Sequence, residues 1–151
     1  MKRRNFLGLG FTTLAVTALQ TVGSASIMSE HPKAFLETSS DEAIKDIYGS
    51  NAISKDDKAV LKLPDIAENG SAVPVTVSTS LENAKTMTIF IDGNPRPLAV
   101  SWELQEGSMA KFSTRIKMRK TTNVRLIVED ANGKLHEAVK QVKVTVGGCG
   151  G

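Results

Sequence analysis

Val73-Pro74-Val75-Thr76-Val77-Ser78 alternates valine with small or polar residues, and that period of two recurs down the chain. Met87, Ile89 and Ile91 alternate with Thr88 and Phe90, and Leu98, Val100, Trp102 and Leu104 alternate with Ala99, Ser101 and Glu103. Ala110, Phe112, Thr114, Ile116 and Met118 oppose Lys111, Ser113, Arg115, Lys117 and Arg119; Val124, Leu126 and Val128 repeat the pattern. A last long strand is expected from about Lys134 to Val146, with Val142, Val144 and Val146 on one face. Successive side chains of a strand point to opposite faces, so each run reads as a strand with one apolar side. Turn chemistry separates them at Glu68-Asn69-Gly70, Asp92-Gly93-Asn94-Pro95, Glu106-Gly107 and Asp130-Ala131-Asn132-Gly133. About six or seven strands at this spacing predict a mainly β, antiparallel sandwich of immunoglobulin type without its disulfide. Pro74, which has no N–H to donate to a ladder, points to a sheet edge.

Before the strands, Ser39-Ser40-Asp41-Glu42 followed by Ala43 to Gly49 has the marks of one short helix. Ser39 is placed to cap it and Glu42 lies in the first turn. Ile44, Ile47 and Tyr48 share a face, and Gly49 closes the end. Phe35 and Leu36 precede it and extend the same apolar surface. Residues 1–26 read as an address: Lys2, Arg3 and Arg4 form a basic head, an apolar run follows from Phe6 to Val22, and Gly23-Ser24-Ala25-Ser26 offers small residues for cleavage. The run is shorter than a membrane span requires, so no anchor is expected after cleavage. Arg3-Arg4-Asn5-Phe6-Leu7 resembles a twin-arginine export signal, with Lys2 and Gly8 departing from the usual pattern. Ordinary secretory export leads to the same oxidising compartment, and the expected location is the periplasm. The organisation expected is thus a leader over 1–26, helix and sandwich over 27–146, and an arm over 147–151.

The formal charge of +3 on 151 residues does not mark a nucleic-acid binder. Without the leader's three cations the 19 basic residues fall to 16, level with the 16 acidic ones. Phosphate binding needs an excess of Lys and Arg. His31 and His136 stand in no ligand-spaced cluster, so no metal site and no cofactor is expected, and both imidazoles read as surface groups. Asp56-Asp57 and Glu129-Asp130 read as turn residues. Lys111, Arg115, Lys117, Arg119 and Lys120 form a basic stripe that either steers an anionic partner or is a solvated strand face. Trp102 reads as a core anchor.

Val144-Thr145-Val146-Gly147-Gly148-Cys149-Gly150-Gly151 is of another kind: a β-branched strand passes without a loop into four glycines around the sequence's one cysteine. Gly147, Gly148, Gly150 and Gly151 make a slim, conformationally free arm. Five extended residues reach about 17 Å, enough to enter another protein's cleft. A thiolate attacks electrophilic sulfur and retains it as a persulfide or mixed adduct. Nothing beside Cys149 in sequence lowers its pKa from about 8.5, so activation is expected from a partner's site. Cys149 is therefore expected to be a covalent attachment point on a carrier, with no catalytic residue of its own. Two rivals stay open. One is an exported sandwich whose Cys149 forms only an intermolecular disulfide, including a homodimer. The other holds sulfur on a Gly150-Gly151 thiocarboxylate, which the leader disfavours because that chemistry requires cytoplasmic ATP.

The closing Gly147-Gly148-Cys149-Gly150-Gly151, the segment from Pro64-Asp65-Ile66-Ala67-Glu68-Asn69-Gly70-Ser71 to Val75, the helix end Ile47-Tyr48-Gly49 and the leader together resemble the SoxY family, the thiol-bearing subunit of the SoxYZ sulfur carrier. The resemblance spans essentially the whole chain after the leader. It implies an immunoglobulin-like sandwich paired with a SoxZ-like subunit in the periplasm of a sulfur-oxidising bacterium, with pathway intermediates bonded to Cys149. It implies as partners a haem enzyme that couples thiosulfate to the cysteine and a metal-dependent thiosulfohydrolase that releases sulfate. In some members a sulfane dehydrogenase joins them. The carrier itself catalyses none of these steps.

Overall fold

The computed structural model describes residues 27–49 and 52–147. Helices α1 (Ile27–Glu30) and α2 (Ser40–Tyr48) precede strands β1 (Ile53–Lys55), β2 (Ala59–Lys62), β3 (Ile66–Ala67), β4 (Val73–Thr79), β5 (Ala84–Ile91), β6 (Leu98–Glu103), β7 (Lys111–Ile116), β8 (Thr122–Asp130) and β9 (Leu135–Val144). The large sheet runs β1-β9-β8-β5-β6, with β3 also on β9, and the small sheet runs β2-β4-β7. β1 and β3 both pair parallel to β9, at its opposite ends. All other pairings are antiparallel. The expected sandwich is present, and α2 adds a third layer on the outer face of the large sheet.

Alternation divides the apolar residues between two cores. Val73, Val75 and Val77 of β4 meet Met87 and Ile89 of β5 and Val124, Leu126 and Val128 of β8 between the sheets. Phe90 and Ile127, one residue out of phase, face the other way and pack with Ala43 and Ile44 of α2. That is why β5 is buried at every position from Met87 to Ile91. Leu98 joins the helix-side core, contrary to its expected place beside Val100. A register shift in the β5–β6 ladder pairs Ile89 with Val100 but Phe90 with Leu98, so the extra residue, Ala99, reverses the facing. Val146 is likewise 62% exposed, because β9 stops at Val144. Pro74 lies in the middle strand of the small sheet, but β2 pairs only with Thr76 to Thr79, so Pro74 borders β7 alone. Its missing N–H thus costs no ladder bond on the β2 side.

α2 ends as expected, with Gly49 at φ 67 and its N–H donating to the Lys45 carbonyl. Its start differs. Ser39 makes no side-chain capping bond, whereas the Ser40 hydroxyl donates to Asp92 Oδ1 at 2.6 Å. Arg125 on β8 then pins the helix, donating to Asp41 Oδ1 at 2.8 Å and, through Nε, to Glu137 Oε1 at 2.6 Å. Tyr48 hydrogen-bonds Thr86 and Thr88, and burial pushes its hydroxyl up to about 12. Trp102 is a rim residue, half-buried and stacked on Phe112 with ring centroids 5.0 Å apart. His136 corrects the expected surface imidazole: it is 4% exposed. Nδ1 lies 2.7 Å from Asp56 Oδ2 and Nε2 lies 3.4 Å from Asp130 Oδ2. The two aspartates also cap turns, accepting from the N–H groups of Lys58 and of Asn132 and Lys134.

Phe90→Ala should cost about 3–5 kcal/mol in urea unfolding, because its ring is fully buried. Exposed Lys111→Ala should stay within about 0.5 kcal/mol. Burial opposes ionisation of Asp56, but hydrogen bonds from His136 and the Lys58 N–H prevail and hold its carboxyl below the usual range. Its folded-state pKa is depressed, so its contribution is fully present above the unfolded value of about 3.9 and is lost as pH falls through the lower folded value. Asp56→Asn should therefore destabilise most near neutral pH, and the gap in urea midpoint from wild type should narrow as pH falls below about 3.9.

Candidate functional site

The chain leaves the sandwich at the end of β9, and two segments hold it there from opposite sides. On the outer edge, residues 63–70 run alongside β9. Lys140 Nζ donates to the Leu63 carbonyl at 2.6 Å and meets Asp65 Oδ1 at 2.8 Å. That lysine holds the Asp65 carboxyl below its ordinary range. The Lys143 N–H donates to the Asp65 carbonyl, and β3 pairs Ile66 with Lys143 and Ala67 with Val144. Past the strand the pairing continues. The Thr145 N–H donates to Ala67 O at 3.1 Å, its hydroxyl to Glu68 O at 2.9 Å, and the Gly70 N–H to Val146 O at 2.7 Å. Asn69 shapes this loop by accepting the Ser71 N–H through its side chain.

On the opposite side lies the β7–β8 loop, residues 117–121. The Thr121 hydroxyl accepts the Val144 N–H at 2.9 Å and donates to the Val144 carbonyl at 3.4 Å. Asn94, from the β5–β6 turn, clamps this loop. Its Nδ2 donates to Lys117 O and its Oδ1 accepts the Arg119 N–H. Gly93 lets that turn approach, since a Cβ there would come within 2.8 Å of the Thr122 Cβ. The Met118 N–H donates to Gly70 O at 2.7 Å and joins the two loops into a collar. Gly147 emerges through it with its backbone against the Arg119 carbonyl, so close that a Cβ at 147 would collide with that oxygen. Its glycine serves a tight fit at the exit.

Cys149, Gly148, Gly150 and Gly151 lie outside the described residues, as do Arg3, Arg4 and the rest of the leader. Gly147 marks the place from which Cys149 is two residues away. The basic stripe divides: Lys111 and Arg115 stay on β7, opposite Ser78 and Pro74, while Lys117, Arg119 and Lys120 sit on the collar loop. Sequence reasoning took Glu68-Asn69-Gly70 and Asp92-Gly93-Asn94-Pro95 as turns, which they are, and missed that both brace the exit. Thr121 carried no signal at all. Among the described residues no group of three His, Cys, Asp or Glu side chains is placed to hold a metal, and no helix is long and apolar enough to cross a membrane.

Residues 44–149 match the family model "Sulfur oxidation protein SoxY", a match that ends on the cysteine. The chain belongs to the SoxY family. A structure of the sulfur carrier protein SoxY from Chlorobium limicola f thiosulfatophilum is similar at 40% identity and a TM-score of 0.64, covering 70% of this chain and 96% of that one. A superoxide reductase (neelaredoxin) variant from Ignicoccus hospitalis shares 16% identity at a TM-score of 0.53, covering 61% of this chain and 94% of that one. A putative superoxide reductase from Thermotoga maritima shares 14% at 0.54, covering 62% and 95%. These last two likenesses show a common sandwich fold and carry no chemistry across. No curated protein matches the chain.

Gly147→Ala places a methyl group against the Arg119 carbonyl and should cost about 1–3 kcal/mol, the usual range for overpacking. Hydrogen exchange should localise the loss: protection should fall at the Val144 and Gly70 amides and hold at Leu126 in the centre of β8.

Proposed function

We propose that this SoxY-family chain is a periplasmic sulfur carrier that holds intermediates of thiosulfate oxidation covalently on Cys149 and presents them to other enzymes. The observation that carries the reading is the collar. It fixes the chain as far as Gly147, two residues before the sequence's single thiol. Membership of a sulfur-oxidation family and likeness to a sulfur carrier support it.

Loading follows ordinary thiol chemistry. The Cys149 sulfur bonds to the outer sulfur of thiosulfate, the thiol proton is released, and two electrons pass to a haem-containing partner, leaving a cysteine thiosulfonate. A thiosulfohydrolase then adds water and removes sulfate, leaving a persulfide, which a sulfane dehydrogenase oxidises further where one is present. A SoxZ-like subunit completes the carrier. None of these steps needs a catalytic group on this chain, and Cys149 acts as the attachment point. Intermediates held by a covalent bond are not lost by diffusion and meet each enzyme at high effective concentration. The leader with Arg3-Arg4 supplies the export route to the periplasm.

Intact mass of the protein taken from the periplasm of thiosulfate-grown cells should show bonded sulfur or thiosulfonate that a mild reductant removes. Cys149→Ser should abolish both the adduct and thiosulfate consumption. An adduct that survives the substitution would move the chemistry to the Gly151 carboxylate. A disulfide dimer with no sulfur-bearing monomer would reduce the chain to a docking module.

A further inference from the structure

We propose that the collar loop of residues 117–121 is an oxyanion contact for the arm's cargo, with Lys117, Arg119 and Lys120 receiving the sulfonate end of a group bonded to Cys149. The inference rests on the carrier reading of Cys149 and adds a binding site on the sandwich itself.

Proximity comes from covalent geometry. The Gly147 backbone packs on the Arg119 carbonyl. Consecutive Cα atoms are about 3.8 Å apart, so the Cys149 Cα lies within about 7.6 Å of the Gly147 Cα whatever the conformation between them. A cysteine side chain extended by a thiosulfonate therefore has this loop within its reach. The loop is positioned independently of the arm, by Asn94 on Lys117 O and the Arg119 N–H, and by Gly70 on the Met118 N–H.

The loop's charge is available. Lys117, Arg119 and Lys120 are exposed, and among the described residues none of them forms an ion pair. By contrast, Lys140 on β9 is paired with Asp65 and Arg125 with Asp41 and Glu137. An open hollow of about 550 Å³ lies beside the loop, between Arg119 and Lys120 on one wall and Asp92 to Pro95 on the other. The Asp92 carboxylate there is already engaged by the Ser40 hydroxyl and lies 4.0 Å from Arg125. The collar's remaining carboxylate, Glu68, belongs to the opposite loop. Among the described residues, three unpaired cations stand against one unpaired carboxylate at the exit. A guanidinium matches a planar face of oxyanion oxygens bidentately, and flanking ammonium groups add point charge.

The test compares two aromatic disulfide probes of the Cys149 thiol on the full chain: dianionic dithiobis(nitrobenzoate) and neutral dithiodipyridine. Their rate ratio cancels any change in thiolate fraction and reads only attraction for negative charge. Replacing Lys117, Arg119 and Lys120 together with Gln should lower the anionic-to-neutral ratio about five- to tenfold, whereas Lys111→Gln with Arg115→Gln on β7 should leave it unchanged. In wild type the ratio should fall as salt rises. An unchanged ratio in the triple variant overturns the proposal; if that variant does not fold, a wild-type ratio insensitive to salt overturns it. Neither result bears on whether the native protein carries sulfur, which the mass of the isolated protein decides separately.

Discussion

β9 has hydrogen-bonding partners on both edges at its last residues, and the exit of the chain depends on that. A terminal strand usually frays, because its outer N–H and C=O groups have no partner but water. Here β8 covers one edge from Thr122 to Glu129, and Thr121 extends the cover to Val144 through a hydroxyl that both donates and accepts. On the other edge two short parallel strands pair with its ends, β1 at the start and β3 at the finish. Residues 67–70 then prolong β3 in an irregular path that satisfies Thr145 and Val146 beyond the sheet. The collar is the price of ending a strand at a fixed point.

Fold and site differ in how far they could be read from the residues. The sandwich was legible because alternation is a local property and a strand's faces are buried in strict phase: Val124, Leu126 and Val128 sit on one side with Ile127 on the other. What escaped was set by contacts distant in sequence. Leu98 changed faces through a bulge that shows only in the β5–β6 ladder, and β3 is too short to show any period. His136 stands in no ligand-spaced cluster and so read as a surface imidazole. It is buried because β1 and Asp56, eighty positions earlier, close over it. The carrier reading of the glycine arm rests on composition alone. The collar did not, because its bonds join residues 67–70, 94 and 117–121 to the end of β9.

Gly147 shows how the two levels meet. From sequence it is one of four glycines and suggests backbone freedom. In the structure its lack of Cβ is used for contact with the Arg119 carbonyl. The same residue type thus answers two demands, close approach at the exit and, in the carrier reading, slimness beyond it. The segment from Pro64 to Val75 that supports the family resemblance also acquires a physical role: its carbonyls at Asp65, Ala67 and Glu68 and the Gly70 N–H are the outer half of the collar.

For a carrier, the position of the root matters as much as the length of the tether. A thiol two residues beyond a fixed point explores a sphere of about 7 Å radius, whereas one whose root had frayed back through Thr145 would be five residues out and reach about 17 Å. The accessible volume grows with the cube of the reach, about fourteenfold, and effective concentration at a docked active site falls in the same proportion. A partner seated on the sandwich would then find its substrate correspondingly less often. In the carrier reading, the hydrogen bonds on Thr145 and Val146 and the packing of Gly147 on the Arg119 carbonyl therefore serve delivery by fixing the root of the tether. The basic loop is part of the same brace, so the charge it offers is held at a fixed distance from the exit at Gly147.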